Sequence, residues 1–179
     1  MTDGCDRGQV AVAAVEEATF GGTRDDIPVD REELHRRLAD VVDGPWWRRC
    51  GPPVTWSTPR RSTRSSTART HPTVGRGVEI RLAEGQLTTA TVAHELAHAL
   101  AGLTAGHGER FRAAHVDVVA LLCGASAGES LAASYGAFGL AVGDRAWPAP
   151  WRADGASFRI LTGPAPPIVR RPPLDASAG

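Results

Sequence analysis

The stretch Thr88-Thr89-Ala90-Thr91-Val92-Ala93-His94-Glu95-Leu96-Ala97-His98-Ala99-Leu100-Ala101 decides how this chain is read. Thr88 or Thr89 can open a helix, because a short side-chain oxygen accepts a hydrogen bond from a backbone N–H of the first turn. The run behind it holds no glycine or proline, which predicts a helix to about Ala101. With about 100° of rotation per residue, His94 and His98 stand one turn apart on one face. Val92, Leu96, Leu100 and Leu103 fall on the opposite face as an apolar seat, and Ala93, Ala97 and Ala101 permit close packing at the sides. Two neutral imidazoles at this spacing can both reach one metal ion at about 2.0–2.1 Å. Glu95 is turned about 100° from His94, so it does not share the ligand direction and can instead act as a base on a metal-held water. Chance would produce this H-E-x-x-H pattern about 0.01 times in a chain of this composition.

A catalytic zinc needs a third protein ligand and one open position. A glycine at 101 and a histidine at 104 would give one familiar continuation, but these positions are Ala101 and Thr104. Glu129, from a later helix, is one candidate. His107 is the more economical one, within Gly106-His107-Gly108-Glu109-Arg110-Phe111. The flanking glycines let the chain reverse, and Phe111, Ala114, Val118 and Leu122 then form the packing stripe of a helix from about Glu109 to Leu122, ended by Gly124.

Outward from this centre, Val78, Ile80 and Leu82 alternate with Glu79 and Arg81, which predicts a half-buried strand ended by Glu84-Gly85. Val54 to Thr58 predicts another, and Pro59 to Pro72, rich in Ser, Thr and Arg, predicts a loop or lid. Towards the N-terminus, Asp6 is placed to cap a helix running through Val10, Ala14 and Glu17 to Gly21-Gly22. Asp30 with Glu33 opens a second helix, striped by Leu34, Leu38 and Val41-Val42 and stopped by Gly44-Pro45. A short helix is expected over Glu129 to Tyr135. Seven of the last 32 residues are proline, so residues 1–147 are read as one domain and 148–179 as a mostly irregular tail in which Ser157 to Leu161 can add a strand. The fold class is α+β, a small sheet followed by a helical half.

Composition narrows function further. The 179 residues carry 20 basic and 20 acidic side chains, so global charge predicts no polyanionic partner. All the cations are arginine, which excludes lysine nucleophiles and Schiff bases. Cys5, Cys50 and Cys123 are odd in number and widely separated, giving no disulfide framework and fitting a reducing, cytoplasmic setting. The longest apolar run near the N-terminus is too short for a signal peptide or membrane span. Between Gly44 and Val78 seven arginines (Arg48, Arg49, Arg60, Arg61, Arg64, Arg69 and Arg76) meet no acidic residue, and Trp46, Trp47 and Trp56 interleave with them. Single-strand nucleic-acid binders use that mixture, and so does a solvated loop over buried tryptophans. His115 lies too far along its helix from His107 to ligate the same ion easily, and reads as a core-edge or supporting residue. His35, among Arg36 and Arg37, reads as a solvated face, and His71 as a loop residue without a partner at ligand spacing.

His94-Glu95-x-x-His98 followed by Gly106-His107-Gly108-x-x-Phe111 resembles the SprT-like (Spartan-type) minimal zincin metallopeptidases. The first 145 residues are similar to a group of small actinobacterial metallohydrolases. The shared features are Asp6, Arg7 and Gln9 near the start, the two histidine motifs, and Tyr135 before Gly139 to Gly143. The resemblance implies a small zincin-like domain in which a short sheet packs against the H-E-x-x-H helix. It implies one Zn2+ held by His94, His98 and His107, and Glu95 as the catalytic base attacking peptide or other amide bonds with a zinc-bound water. Tyr135, the only tyrosine, is a candidate to stabilise the developing oxyanion, against a simple packing role. Two other functions fit the same residues. One is a zinc-bearing interaction domain without turnover, and the other a DNA-associated protease using residues 44–78.

Overall fold

The computed structural model describes residues 3–57, 66–71 and 77–150, with side chains from residue 8 onward. The described residues form α1 (Asp3–Phe20), α2 (Arg31–Val42), α3 (Pro45–Cys50), β1 (Val54–Ser57), β2 (Thr67–Thr70), β3 (Val78–Arg81), α4 (Thr89–Ala101), α5 (Glu109–Leu122) and α6 (Ala125–Ala137). This is the expected α+β class, with six helices and a three-stranded mixed sheet. No described helix is long and apolar enough to cross a membrane.

β3 is the central strand, parallel to β1 and antiparallel to β2, with Trp56 and Ala68 both opposite Ile80. Val78 and Ile80 are buried while Glu79 and Arg81 stay half-buried, as the alternation predicts. The predicted loop 59–72 contains β2, whose Thr-Ala-Arg-Thr sequence offers almost nothing to bury. It is held instead by ladder hydrogen bonds and by Arg69, directly opposite Glu79, which donates to that carboxylate from Nε at 2.9 Å and Nη2 at 2.7 Å.

α4 is the structural centre. Thr88 caps it, accepting from the Thr91 N–H at 3.1 Å, and Val92, Leu96, Ala93 and Ala97 are fully buried. A Leu96→Ala change would leave a core cavity costing about 2–5 kcal/mol. The helix ends at Gly102, whose φ of 96° is one that side-chain-bearing residues avoid. Gly106 (φ 56°) then reverses the chain, so α5 runs back along α4. Phe111, Ala114 and Val118 of the predicted stripe are fully buried.

The remaining elements close the core. α1 buries Val12, Val15 and Phe20 and packs on α6; it already begins at Asp3, so Asp6 lies inside the helix and is not its cap. Asp30 does cap α2, accepting from the Glu33 N–H at 2.8 Å. Gly44-Pro45 stops α2, but Pro45 is also the first residue of α3, where its missing N–H costs nothing. α6 outruns the expected Glu129–Tyr135 at both ends. Its Gly128 touches α5 so closely that a Cβ would lie 2.8 Å from the Ala120 Cβ. Pro148 is still docked, its carbonyl accepting from Trp46 Nε1 at 2.8 Å, and Pro150 is buried. Residues 151–179, including the expected strand Ser157 to Leu161, lie outside the described residues.

Candidate metal centre

His94 and His98 project from successive turns of α4, and His107 meets them from the glycine-flanked loop. The Nε2 atoms of His98 and His107 each lie 3.2 Å from His94 Nε2. Donors at about 2.0–2.1 Å from a tetrahedral ion are roughly 3.3 Å apart, so this is the edge length of a zinc-sized site. Proton counting agrees. His94 Nδ1 is bonded to Glu16 Oε1 at 2.6 Å, so a proton sits there, and in the neutral ring Nε2 presents a lone pair. One in-plane lone pair cannot accept N–H bonds from both neighbours, so at least one further lone pair faces it. A shared cation resolves that conflict, and these three side chains form a group able to hold a metal ion.

A layer of side chains supports the ligands. The Phe111 ring lies 5.0, 4.4 and 4.9 Å from the ring centres of His94, His98 and His107. Arg112 donates to the His107 carbonyl at 2.8 Å and the Ala141 carbonyl at 2.6 Å, tying the ligand loop to the chain beyond α6. His115 is fully buried, with Nδ1 2.8 Å from the Tyr135 hydroxyl and Nε2 3.5 Å from Glu16 Oε1. That longer contact falls short of a hydrogen bond, and Nε2 has no other partner. Glu16, His94 and His115 form a second group of metal-ligating type. Its 2.6 Å Nδ1–Oε1 distance is a charge-assisted hydrogen bond, well under the spacing of two ligands on one ion.

The electrostatics follow from burial. Burial, reinforced by charge on His94, pushes the His98 imidazole down to about 3 and the His107 imidazole down to about 4. Both stay neutral at ordinary pH, the form that ligates metals. Burial works against the His94 imidazolium too, but the Glu16 hydrogen bond overrides it and the net shift is upward. Burial likewise opposes ionisation of Glu16, yet the His94 bond and the His115 charge hold it below the ordinary carboxylate range.

Glu95 is nearly buried and lies on the cleft wall with the three ligands, where burial pushes its carboxyl up to about 7 despite the neighbouring His94 charge. The Ala68 backbone of β2 works in the opposite direction, favouring the ionised carboxylate. The cleft encloses about 520 Å3, with α1, β2 and α4 forming its walls. Leu103, predicted as part of the apolar seat, is only half-buried and lines this cleft. Tyr135 is fully buried against His115 and is not among the residues lining the cleft.

The other candidates stand elsewhere. Glu129 is exposed on α6 and outside both ligand groups. His35 is not on a solvated face. It is half-buried, edge-on to Trp56 at 6.1 Å, and its Nε2 has no hydrogen-bond partner among the described residues. Trp46 and Trp47 are buried in the core, and Arg69 and Arg48 pair with Glu79 and Asp43. Arg60, Arg61, Arg64 and Arg76 lie outside the described residues. Cys50 and Cys123 are free thiols. Sequence reasoning missed Glu16, although Val12, Val15, Thr19 and Phe20 place it inside a buried helical stripe, an anomalous position for a carboxylate. Comparison of the chain with family models, curated proteins and solved structures returns no match.

Proposed function

We propose that the protein is a zinc-dependent metallopeptidase of the SprT-like zincin type, with one Zn2+ on His94, His98 and His107 and Glu95 as its general base. The observation that carries this reading is the convergence of three imidazole nitrogens beside a buried carboxyl on the wall of one open cleft. Zinc bound there would polarise a carbonyl and lower the pKa of a water. Glu95 stands one residue from His94 yet is turned from the ligand direction, so its carboxyl takes a proton from the attacking water and returns it to the leaving amine.

A peptide suits the cleft better than a small amide. Thr67 and Ala68 of β2 form part of its wall, and β2 is an outer strand with β3 on only one side. An extended chain can pair with such an edge and draw its affinity from main-chain hydrogen bonds. The test combines zinc stoichiometry with cleavage of a peptide library. Glu95→Gln is expected to keep zinc and lose about 10²–10⁴-fold in turnover, the usual worth of a general base. His98→Ala is expected to lose zinc and activity together. Parental turnover by Glu95→Gln would sink the general-base assignment, and zinc binding with no cleavage by the parent would leave a metal-binding domain.

A further inference from the structure

We propose that Glu16 is the positioning residue of the metal centre: one carboxylate oxygen fixes the tautomers of His94 and His115 and so keeps the His94 Nε2 lone pair turned to the ion. The inference rests on the zinc reading above and adds α1, an element without any metal motif, to the site.

The argument is an account of protons. If His94 ligates through Nε2, its Nδ1 must carry the hydrogen, and the acceptor is Glu16 Oε1 at 2.6 Å. The same oxygen faces His115 Nε2 at 3.5 Å, and that nitrogen has no other partner. Were Nε2 the bare nitrogen, a buried lone pair would face a carboxylate, which is repulsive. The arrangement without conflict puts the hydrogen on His115 Nε2, leaving Nδ1 to accept from the Tyr135 hydroxyl at 2.8 Å. Tyr135 thus acts through His115, Glu16 and His94, with those three residues between it and the ion, and not on substrate. Each of the three buried side chains then has one place for its proton.

Position on the helix supports the assignment. Val12 and Val15 seat α1 in the core, fully buried, and bring Glu16 inward with them. Two turns earlier Gly8 passes the third ligand, where a Cβ would lie 3.5 Å from the His107 Cβ. α1 therefore reaches two of the three ligands. Carboxylates in this position raise ligand basicity and hold the ring, and their removal typically weakens metal binding about 10–100-fold.

The experiment measures zinc affinity by competition with a chromophoric chelator, together with histidine tautomers from long-range proton–nitrogen spectra of the metal-free protein. The full chain is used as parent, Glu16→Ala, Glu16→Gln and Glu16→Asp. The expected result is a loss of about 10–100-fold for Glu16→Ala. A smaller loss is expected for Glu16→Gln, which keeps an acceptor but no charge, and partial recovery for Glu16→Asp. The parent should carry its hydrogens on His94 Nδ1 and His115 Nε2. If Glu16→Ala does not fold, the near-isosteric Glu16→Gln carries the test. Parental zinc affinity in the folded Glu16 variants, or a His115 hydrogen on Nδ1 in the parent, would overturn the assignment while leaving zinc binding intact. A parent that takes up no zinc would instead overturn the zinc reading itself, and this inference with it.

Discussion

At Asp117 helix α5 buries a carboxylate completely, and both of its oxygens accept hydrogen bonds. Arg145 reaches it from Nε at 2.6 Å and Nη2 at 2.8 Å, and Trp147 Nε1 donates at 2.9 Å. Within the two turns before it the same helix backs the histidine cluster with Phe111 and His115, and there the matching fails. Nitrogen faces nitrogen at 3.2 Å, and His107 Nδ1 and His115 Nε2 are buried without hydrogen-bond partners among the described residues. Both clusters are polar and rest against α5, but the Asp117 carboxylate is fully buried whereas the three histidines are half-buried. The matched one holds the chain, pinning the segment after α6 across the core. The unmatched one faces an open cleft. Three imidazole nitrogens that meet at the wall of an open cleft form a group able to hold a metal ion.

The comparison is easiest to break at the matched cluster, where the largest stability effect is expected. Arg145→Ala would leave Asp117 charged and buried with the Trp147 N–H as its remaining donor, and removing one partner of a buried pair costs about 3–5 kcal/mol. Urea unfolding should register that loss equally with zinc and with chelator. A loss seen only in the zinc-loaded protein would mean that the two clusters are one cooperative unit.

The unmatched cluster should respond to metal by mass action. Zinc at a hundred times its dissociation constant is expected to stabilise the parent by about 2.7 kcal/mol, since only the folded chain assembles three ligands. His107→Ala should gain far less from the same zinc. Thermal melts across a zinc titration check this, and a parent with no zinc-dependent shift would remove the contrast between the clusters.

What the sequence made legible follows the same division. His94, Glu95 and His98 were readable because motif, helix cap and apolar stripe coincide in one segment. His107 was readable because Gly106 and Gly108 announce a reversal of the chain. Glu16 and Asp117 were not, because a carboxylate on a helix resembles a solvated one until its neighbours are known. Glu16 shares a stripe with Val12 and Val15, and His115 with Phe111 and Val118, so the hint was present in the spacing. β2 escaped because Thr-Ala-Arg-Thr is held by its neighbour's backbone and by Glu79, neither of which lies nearby in sequence. α3 escaped because Pro45 ends one helix and begins the next.

A smaller effect should come from the residue that joins the two regions. Arg112 bonds the His107 carbonyl and the Ala141 carbonyl, so it links the ligand loop to the segment that Asp117 anchors. Arg112→Gln is expected to cost about 1.5–3 kcal/mol at most, the worth of hydrogen bonds to a charged group, less because the side chain is partly exposed. Zinc affinity should weaken a few-fold through a looser His107. Unchanged affinity alongside the stability loss would show that His107 is held by its glycines and by Phe111 without help from the strap.

The smallest effect expected is the one that fixes the third ligand. Glu129 was the competing ligand on sequence grounds, and a glutamate on a later helix would have completed the site equally well in charge. It is exposed on α6, however, while His107 Nε2 sits 3.2 Å from His94 Nε2. Glu129→Ala should therefore leave zinc stoichiometry and affinity at the parental level. His107→Ala in the same assay removes a direct bond and should lower occupancy sharply. Measured side by side, the pair separates position in space from order along the chain. A Glu129→Ala protein that lost zinc while His107→Ala kept it would require α6 to turn inward and His107 to leave the cluster, against a contact of α6 with α5 at Gly128 too close to admit even a Cβ.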